Sequence, residues 1–161
     1  MSKLDSSELI QRSALIDDLS REQCDDLARI TTVRELSDGD ALIEEGAVDE
    51  TLHIVGAGTL SVERKTSTGA AVVLHVLKAG DLAGEMGFVD GAEHTATLRA
   101  IGETVVVSLR RQDLESILPD KPELVYGVMR GIVRTVHRIL RQMNLQHIEL
   151  TNYITKTHGR Y

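Results

Sequence analysis

The chain predicts a mainly β fold with flanking helices, an antiparallel β-roll or jelly roll between N-terminal helices and a long C-terminal helix. Three observations predict it. Apolar residues recur at helical spacing near both ends, over 1–32 and over 111–157. Between them, residues 33–109 switch to short runs rich in β-branched residues, each cut by a Gly or Asp turn signal. With 161 residues, one Phe and no Trp, the chain has the length of one domain and the means for an aliphatic core only.

Taken in order, Leu9, Ile10, Ala14, Leu15 and Leu19 mark a helical face, and Ser20 is placed to cap a helix over 21–30 with Gln23 as its capping-box partner. About eight short strands follow, among them Val33–Leu36, Leu42-Ile43, Leu52–Val55, Leu60–Glu63, Val72–Leu77, Thr95–Ile101 and Val105–Leu109. Turn signals at Asp38-Gly39-Asp40, Glu45-Gly46, Gly56-Ala57-Gly58, Gly69 and Gly80 separate them, the spacing of a jelly roll. A short helix over 112–118 is broken by Pro119 and Pro122, and a long helix starts near Glu123.

That last helix carries its own pattern. Val125, Met129, Ile132, Val136, Ile139, Met143, Gln146, Leu150 and Tyr153 recur at alternating spacings of four and three, a heptad seam suited to a parallel homodimer. Gln146 is the lone polar seam position and is placed to fix register. Val133 and Leu140 form a second apolar line, expected to pack on the β-roll. Arg130, Arg134, Arg138 and Arg141 fall on the outer face, where a solvated role or an acidic protein partner suits them.

Charge and composition narrow the function. The net charge is −7, yet residues 124–161 hold six Lys/Arg against Glu149 alone. An acidic body with a basic tail helix does not favour nucleic acid. No run of about 18 apolar residues exists to span a membrane, and the first 15 residues have no secretory pattern. A single cysteine, Cys24, rules out an internal disulfide and suits a reducing, cytoplasmic setting, with the thiol buried in a helix. The histidines at 53, 75, 94, 137, 147 and 158 are scattered without metal spacing, and no Ser or Cys sits in a nucleophile motif, so no enzyme is expected.

The richest stretch runs from Gly80 to Ala100. A Gly80-Asp81 turn leads into Gly84-Glu85-Met86-Gly87, a second turn follows at Asp90-Gly91, and a β segment begins at Thr95-Ala96. Glycines let backbone amides approach an anion, and a fixed carboxylate accepts hydrogen bonds from sugar hydroxyls. The stretch resembles the phosphate-binding cassette of the cyclic nucleotide-binding domain family, with the Gly-Glu-Met-Gly start and eight residues between Glu85 and the family's Arg position. The first corner at Gly39-Asp40 and Glu45-Gly46, the His53-Ile54-Val55 strand with Gly58, and Leu77 before Gly80-Asp81 extend the resemblance over roughly residues 8–145.

The resemblance implies a regulatory ligand, cAMP or cGMP, and no cofactor. It implies Gly84, Met86 and Gly87 for backbone contacts, Glu85 for the ribose 2′-hydroxyl, and Thr95 and Ala96 for phosphate oxygens. The phosphate partner is Arg in the family but His94 here. Imidazole is shorter, offers one donor per nitrogen and is only partly protonated at pH 7. Losing a charged hydrogen bond of about 1.5–3 kcal/mol lowers affinity roughly 10- to 150-fold. In the catabolite-activator branch the C-terminal helix covers the base with a Thr-Ser pair; the ungapped register puts Ile139 and Leu140 there, which cover a base without reading its edge. That branch continues into a DNA-binding helix-turn-helix, for which the residues up to Tyr161 leave no room, so direct DNA binding is not expected. Two readings follow: a sensor, free-standing or a fragment of a longer protein, that binds a cyclic nucleotide or another small anion and signals through its last helix, or a degenerate module with an empty or permanently filled pocket that serves as a dimeric interaction domain.

Overall fold

Ser20 opens the second helix as its sequence dictates. Its hydroxyl accepts from Gln23 N at 3.2 Å, and its amide donates to Gln23 Oε1 at 2.8 Å. The computed structural model describes residues 5–158. Two helices and a 3-10 turn come first: α1 (Ser6–Gln11), the turn Ile16–Asp18 and α2 (Arg21–Ala28). The Ser7 hydroxyl donates to the Asp25 carboxylate and ties α1 to α2.

Six strands then form one antiparallel sheet: β1 (Thr32–Leu36), β2 (Ala41–Ile43), β3 (Thr51–Lys65), β4 (Ala71–Lys78), β5 (Leu82–Ala83) and β6 (Thr97–Arg110). The order is β1-β6-β3-β4, with β2 on β6 and β5 on β3. A short helix α3 (Glu85–Asp90) interrupts the strands before β6, and α4 (Arg111–Ile117) and α5 (Pro122–His158) close the chain. Pro122 is the first residue of α5, where its missing amide costs nothing.

The seven runs named above become five strands because two pairs fuse, and the short β5, which was not among them, makes six. Leu52–Val55 and Leu60–Glu63 are one strand, and so are Thr97–Ile101 and Val105–Leu109. Gly56-Ala57-Gly58 does not end β3; it bends it. The register against β6 slips on both sides of Ala57, Gly58 takes φ +82°, and a Cβ there would stand 2.5 Å from Glu103 O. The bend lets one long strand serve both halves of the roll. Two apolar clusters result. One joins the helices to Leu52, Ile54, Val107 and Leu109, and the other fills the roll around Val55, Leu60, Leu98 and Val106. Cys24 lies buried in the first.

The face that α5 turns to its own domain differs from expectation. Leu124, Val128 and Ile132 join the helical cluster, with Ile132 only 2 % exposed, whereas Val133 is 65 % exposed and Leu140 is exposed too. Val133 and Leu140 therefore do not pack on the roll. The cause is the 3-10 turn, which reaches α5 where Gly127 and Gly131 leave a notch. A Cβ at Gly127 would lie 2.7 Å from Asp18 O, and one at Gly131 2.6 Å from Leu15 Cδ2. The buried Asp18 carboxylate is clasped there by Arg134 at 3.0 Å and Arg130 at 3.6 Å. Two of the arginines assigned to a solvated face thus hold the helix to its domain. Beyond Val136 every described side chain of α5 is exposed. The helix has 37 residues, about 55 Å at 1.5 Å per residue. Arg160 of the basic tail lies outside the described residues.

Candidate functional site

Asp81 closes the turn after β4: its carboxylate accepts from Lys78 N at 2.9 Å, with Gly80 at φ +96°. The turn is pinned to β3 by Gly80 N to Val55 O at 2.7 Å and Val55 N to Asp81 O at 2.9 Å. β5 follows, pairing Ala83 with His53. Gly84 then turns the chain into α3 at φ +75°, so close to β3 that a Cβ would stand 2.9 Å from Thr51 O. Only glycine meets both conditions at once. The amides of Glu85, Met86 and Gly87 are the first of α3 and have no carbonyl within the helix to donate to. After Gly91 the chain returns to the first corner. His94 N donates to Ala47 O at 2.9 Å, and His94 O accepts from Gly46 N at 2.8 Å. The backbone of residue 94 is therefore fixed from both sides before β6 begins.

Four of the expected residues converge here. The His94 ring lies on Gly87, its Cε1 2.7 Å and its Nε2 3.1 Å from where a Cβ of residue 87 would be. Its Nε2 is buried and has no hydrogen-bond partner among the described residues. Glu85 lies half-buried near it. Burial pushes the Glu85 carboxyl above the ordinary carboxylate value, offset in part by its own backbone amide and by the His94 imidazole. Gly84 and Gly87 supply the close backbone approach. Met86 points outward and is exposed, as is Thr95, while Ala96 is half-buried. Ile139 and Leu140 stand on the exposed half of α5, beyond the 3-10 turn and α4 on which that helix packs. Arg99, the nearest arginine along the cassette, is held by Glu63 at 3.3 Å and Gly39 O at 2.8 Å.

A residue of the site went unread as such in the sequence. His53, 1 % exposed, lies under Gly84 with its Cδ2 3.6 Å from that residue's Cβ position. Its Nδ1 is 2.8 Å from Ser108 Oγ, and its Nε2 is buried without a hydrogen bond, 3.9 Å from Asp49 Oδ2. Burial pushes its pKa down to about 4; Asp49 opposes this, while Arg34 and His94 add to it. Its pairing with Ser108 follows from the β3–β6 register, which no local motif announces. Two buried imidazole nitrogens without partners thus flank the first turn of α3. Buried polar atoms of this kind are few in folded proteins, and each has a cause in strain, function or an ordered water. A separate open cleft between α2 and the start of α5 is crossed by the Lys121–Asp26 pair at 2.8 Å, which occupies its one cation.

The cyclic nucleotide-binding domain profile matches residues 33–121. Neuropathy target esterase sws of Drosophila virilis is 30 % identical over 150 residues, covering 83 % of this chain and 10 % of that protein. The CRP-like cAMP-activated global transcriptional regulator of Mycobacterium tuberculosis is 27 % identical over 100 residues, covering 62 % of this chain and 45 % of the regulator. The chain thus spans about a tenth of the esterase and less than half of the regulator. The solved cyclic nucleotide-binding domain from Methylobacillus flagellatus superposes with a TM-score of 0.76 at 22 % identity, covering 86 % of this chain and 78 % of that one, a likeness of fold. Among the described residues no helix is long and apolar enough to cross a membrane. With the family profile on more than half its length and the cassette in place, the chain belongs to the cyclic nucleotide-binding domain family.

Proposed function

We propose that this chain is a cytoplasmic sensory module, without catalytic activity of its own, that binds a cyclic nucleotide or related small anion in the cassette and signals through α5 as a homodimer. One observation carries the reading: the His94 ring lies on Gly87 with a buried nitrogen that has no hydrogen-bond partner among the described residues, and its charge is felt by Glu85, a carboxylate whose burial opposes its charge. Glu85 takes the ribose hydroxyl, and the phosphate lies between His94 Nε2 and the amides after Gly84, with Thr95 and Ala96 beside it. Ile139 and Leu140 cover the base once the free half of α5 comes over the cassette. The M. tuberculosis relative is described as cAMP-activated, which makes cAMP the first ligand to try. The esterase activity in the name of the other relative belongs to a protein of which this chain covers 10 %, and is not carried over.

The degenerate reading has one observation of its own: an imidazole lies on Gly87 at the family's arginine position. Calorimetry with cAMP and cGMP at pH 6 and pH 8 separates the two readings. Phosphate beside an imidazole favours imidazolium, so binding takes up a proton and affinity rises as pH falls. The sensor reading predicts tighter binding at pH 6, with buffer-dependent heat. His94→Arg gains roughly 10- to 150-fold at pH 8, the worth of one charged hydrogen bond, and loses the pH dependence. His94→Gln loses the pH dependence without the gain. A confirmed ligand bound equally at both pH values, with no gain from arginine, removes His94 from the site. No binding by wild type or His94→Arg leaves the degenerate module.

A further inference from the structure

The two segments that form the cassette site carry acidic side chains and no lysine or arginine. The first is the corner before β3, with Glu44, Glu45, Asp49 and Glu50 and no Lys or Arg from residue 35 to 63. The second is the cassette, where Asp90 and Glu93 join Glu85 and no Lys or Arg occurs from residue 79 to 98. The fold lays one segment along the other. His94 N donates to Ala47 O, Gly46 N donates to His94 O, and Val48 bridges to Glu93. Asp49 O stands 2.8 Å from the Cβ position of Gly87, and Glu50 Oε1 stands 2.8 Å from that of Gly91.

Little offsets this charge. Arg99 is held by Glu63, and Arg111 by Glu115 at 2.8 Å and Glu50 at 3.8 Å. Arg34, two strands away on β1, is felt by His53. The Glu44 and Glu93 side chains stand exposed at the rim. Inside it, the buried Nε2 atoms of His53 and His94 have no hydrogen-bond partner among the described residues, and that of His53 lies 3.9 Å from Asp49 Oδ2. The site thus offers an anion backbone amides and imidazole within a field that opposes it. In water, a carboxylate about 10 Å from a unit charge changes an equilibrium constant roughly twofold before screening. The ligand feels the sum over the rim once for every charge it carries. An anion held by lysine and arginine binds more weakly as salt rises; here salt screens a repulsion and acts the other way.

We propose that this acidic rim, Glu44 and Glu93 foremost, sets the charge specificity of the cassette: it admits a ligand of one negative charge, penalises ligands of two or more, and makes binding tighten as ionic strength rises. The proposal rests on the cyclic-nucleotide reading above and assigns the charge class of its ligand. A cyclic nucleoside monophosphate carries one charge, because its phosphodiester has no second proton to lose. A 5′-monophosphate carries about 1.5–2 at pH 7, and di- and triphosphates carry more. The rim discriminates among them without touching them. It does so most at low salt, where the screening length is about 30 Å at 0.01 M against less than about 8 Å at 0.3 M.

Calorimetry of the full chain at pH 7.0 in 10 mM and in 300 mM sodium chloride tests this, with circular dichroism as the control for fold. cAMP is expected to bind at least about threefold tighter at the higher salt, and 5′-AMP to gain at least about fivefold, so that the margin between them narrows. Glu44→Gln with Glu93→Gln, both at exposed positions, is expected to bind cAMP roughly two- to threefold tighter than wild type at the lower salt and to differ little at the higher. Failure of cAMP to bind at either salt overturns the cyclic-nucleotide reading, and this proposal with it. Binding of cAMP that salt leaves unchanged or weakens overturns the repulsive rim alone. Equal gains for cAMP and 5′-AMP overturn the charge ranking, and a double variant with wild-type affinity at the lower salt removes Glu44 and Glu93 from the rim.

Discussion

Two residues show opposite costs of burial in one site. Glu85 titrates above the ordinary carboxylate range because burial disfavours its charge. A group whose pKa is raised on folding stabilises the protein below its unfolded value and loses that contribution as pH rises through the folded one. At neutral pH the carboxylate is therefore a burden, and Glu85→Gln should raise the melting temperature of the ligand-free protein, by about 2–4 °C for each kcal/mol relieved. The same substitution should weaken ligand binding by an order of magnitude or more in calorimetry. A lower melting temperature would assign Glu85 a structural role. His53 behaves in the other sense. Its pKa is depressed to about 4 by burial, so its contribution is intact above the ordinary imidazole value and is lost as pH falls through the folded one. Across a window from about pH 6.5 to 4 this removes up to about 3 kcal/mol. Urea titrations of wild type and His53→Gln over that window should converge as pH falls; parallel curves would mean that His53 does not carry the loss.

At the scale of elements, most of the fold was legible because local chemistry fixes it. The Ser20-Gln23 box, the turn at Gly80-Asp81 and the start of α5 at Pro122 all depend on neighbours within a few residues. What stayed hidden depends on contacts distant in sequence. Gly56-Ala57-Gly58 reads as a turn, and becomes a bend only because β6 pairs with both arms of β3. Gly58 and Gly69 have nearly the same φ, +82° and +84°, yet a Cβ at Gly58 meets Glu103 O and Thr104 Oγ1, whereas at Gly69 it meets nothing within 4 Å. Gly69→Ala should cost only the left-handed strain of about 1–2 kcal/mol. Gly58→Ala should cost clearly more, because backbone must also move. Equal denaturation midpoints for the two variants would contradict the bend. The face of α5 was misread for a related reason. Two adjacent heptad columns, one through Ile132 and one through Val133, are both apolar in sequence. The Gly127–Gly131 notch and the Asp18 clasp, which no periodicity encodes, decide which one the domain covers.

For the whole molecule, the cassette was readable down to Gly84, Glu85, Gly87 and His94, because it is a contiguous string of turns. The buried His53 beneath it was not, since a strand residue reveals its burial only when the sheet is assembled. The roll holds the cassette, and the half of α5 beyond Val136 is exposed, which is where the proposed signalling would act. The central claim, that the cassette takes a cyclic nucleotide through Glu85 and His94, is tested most directly by thermal unfolding of the wild-type protein at pH 6 against cyclic mono- and dinucleotides. A true ligand at 100 times its dissociation constant stabilises by ~2.7 kcal/mol, a rise of roughly 5–11 °C for a domain this size, and Glu85→Ala, weakening binding tenfold or more, should cut the rise to about half or less. An unchanged melting temperature with every nucleotide at millimolar concentration would contradict it.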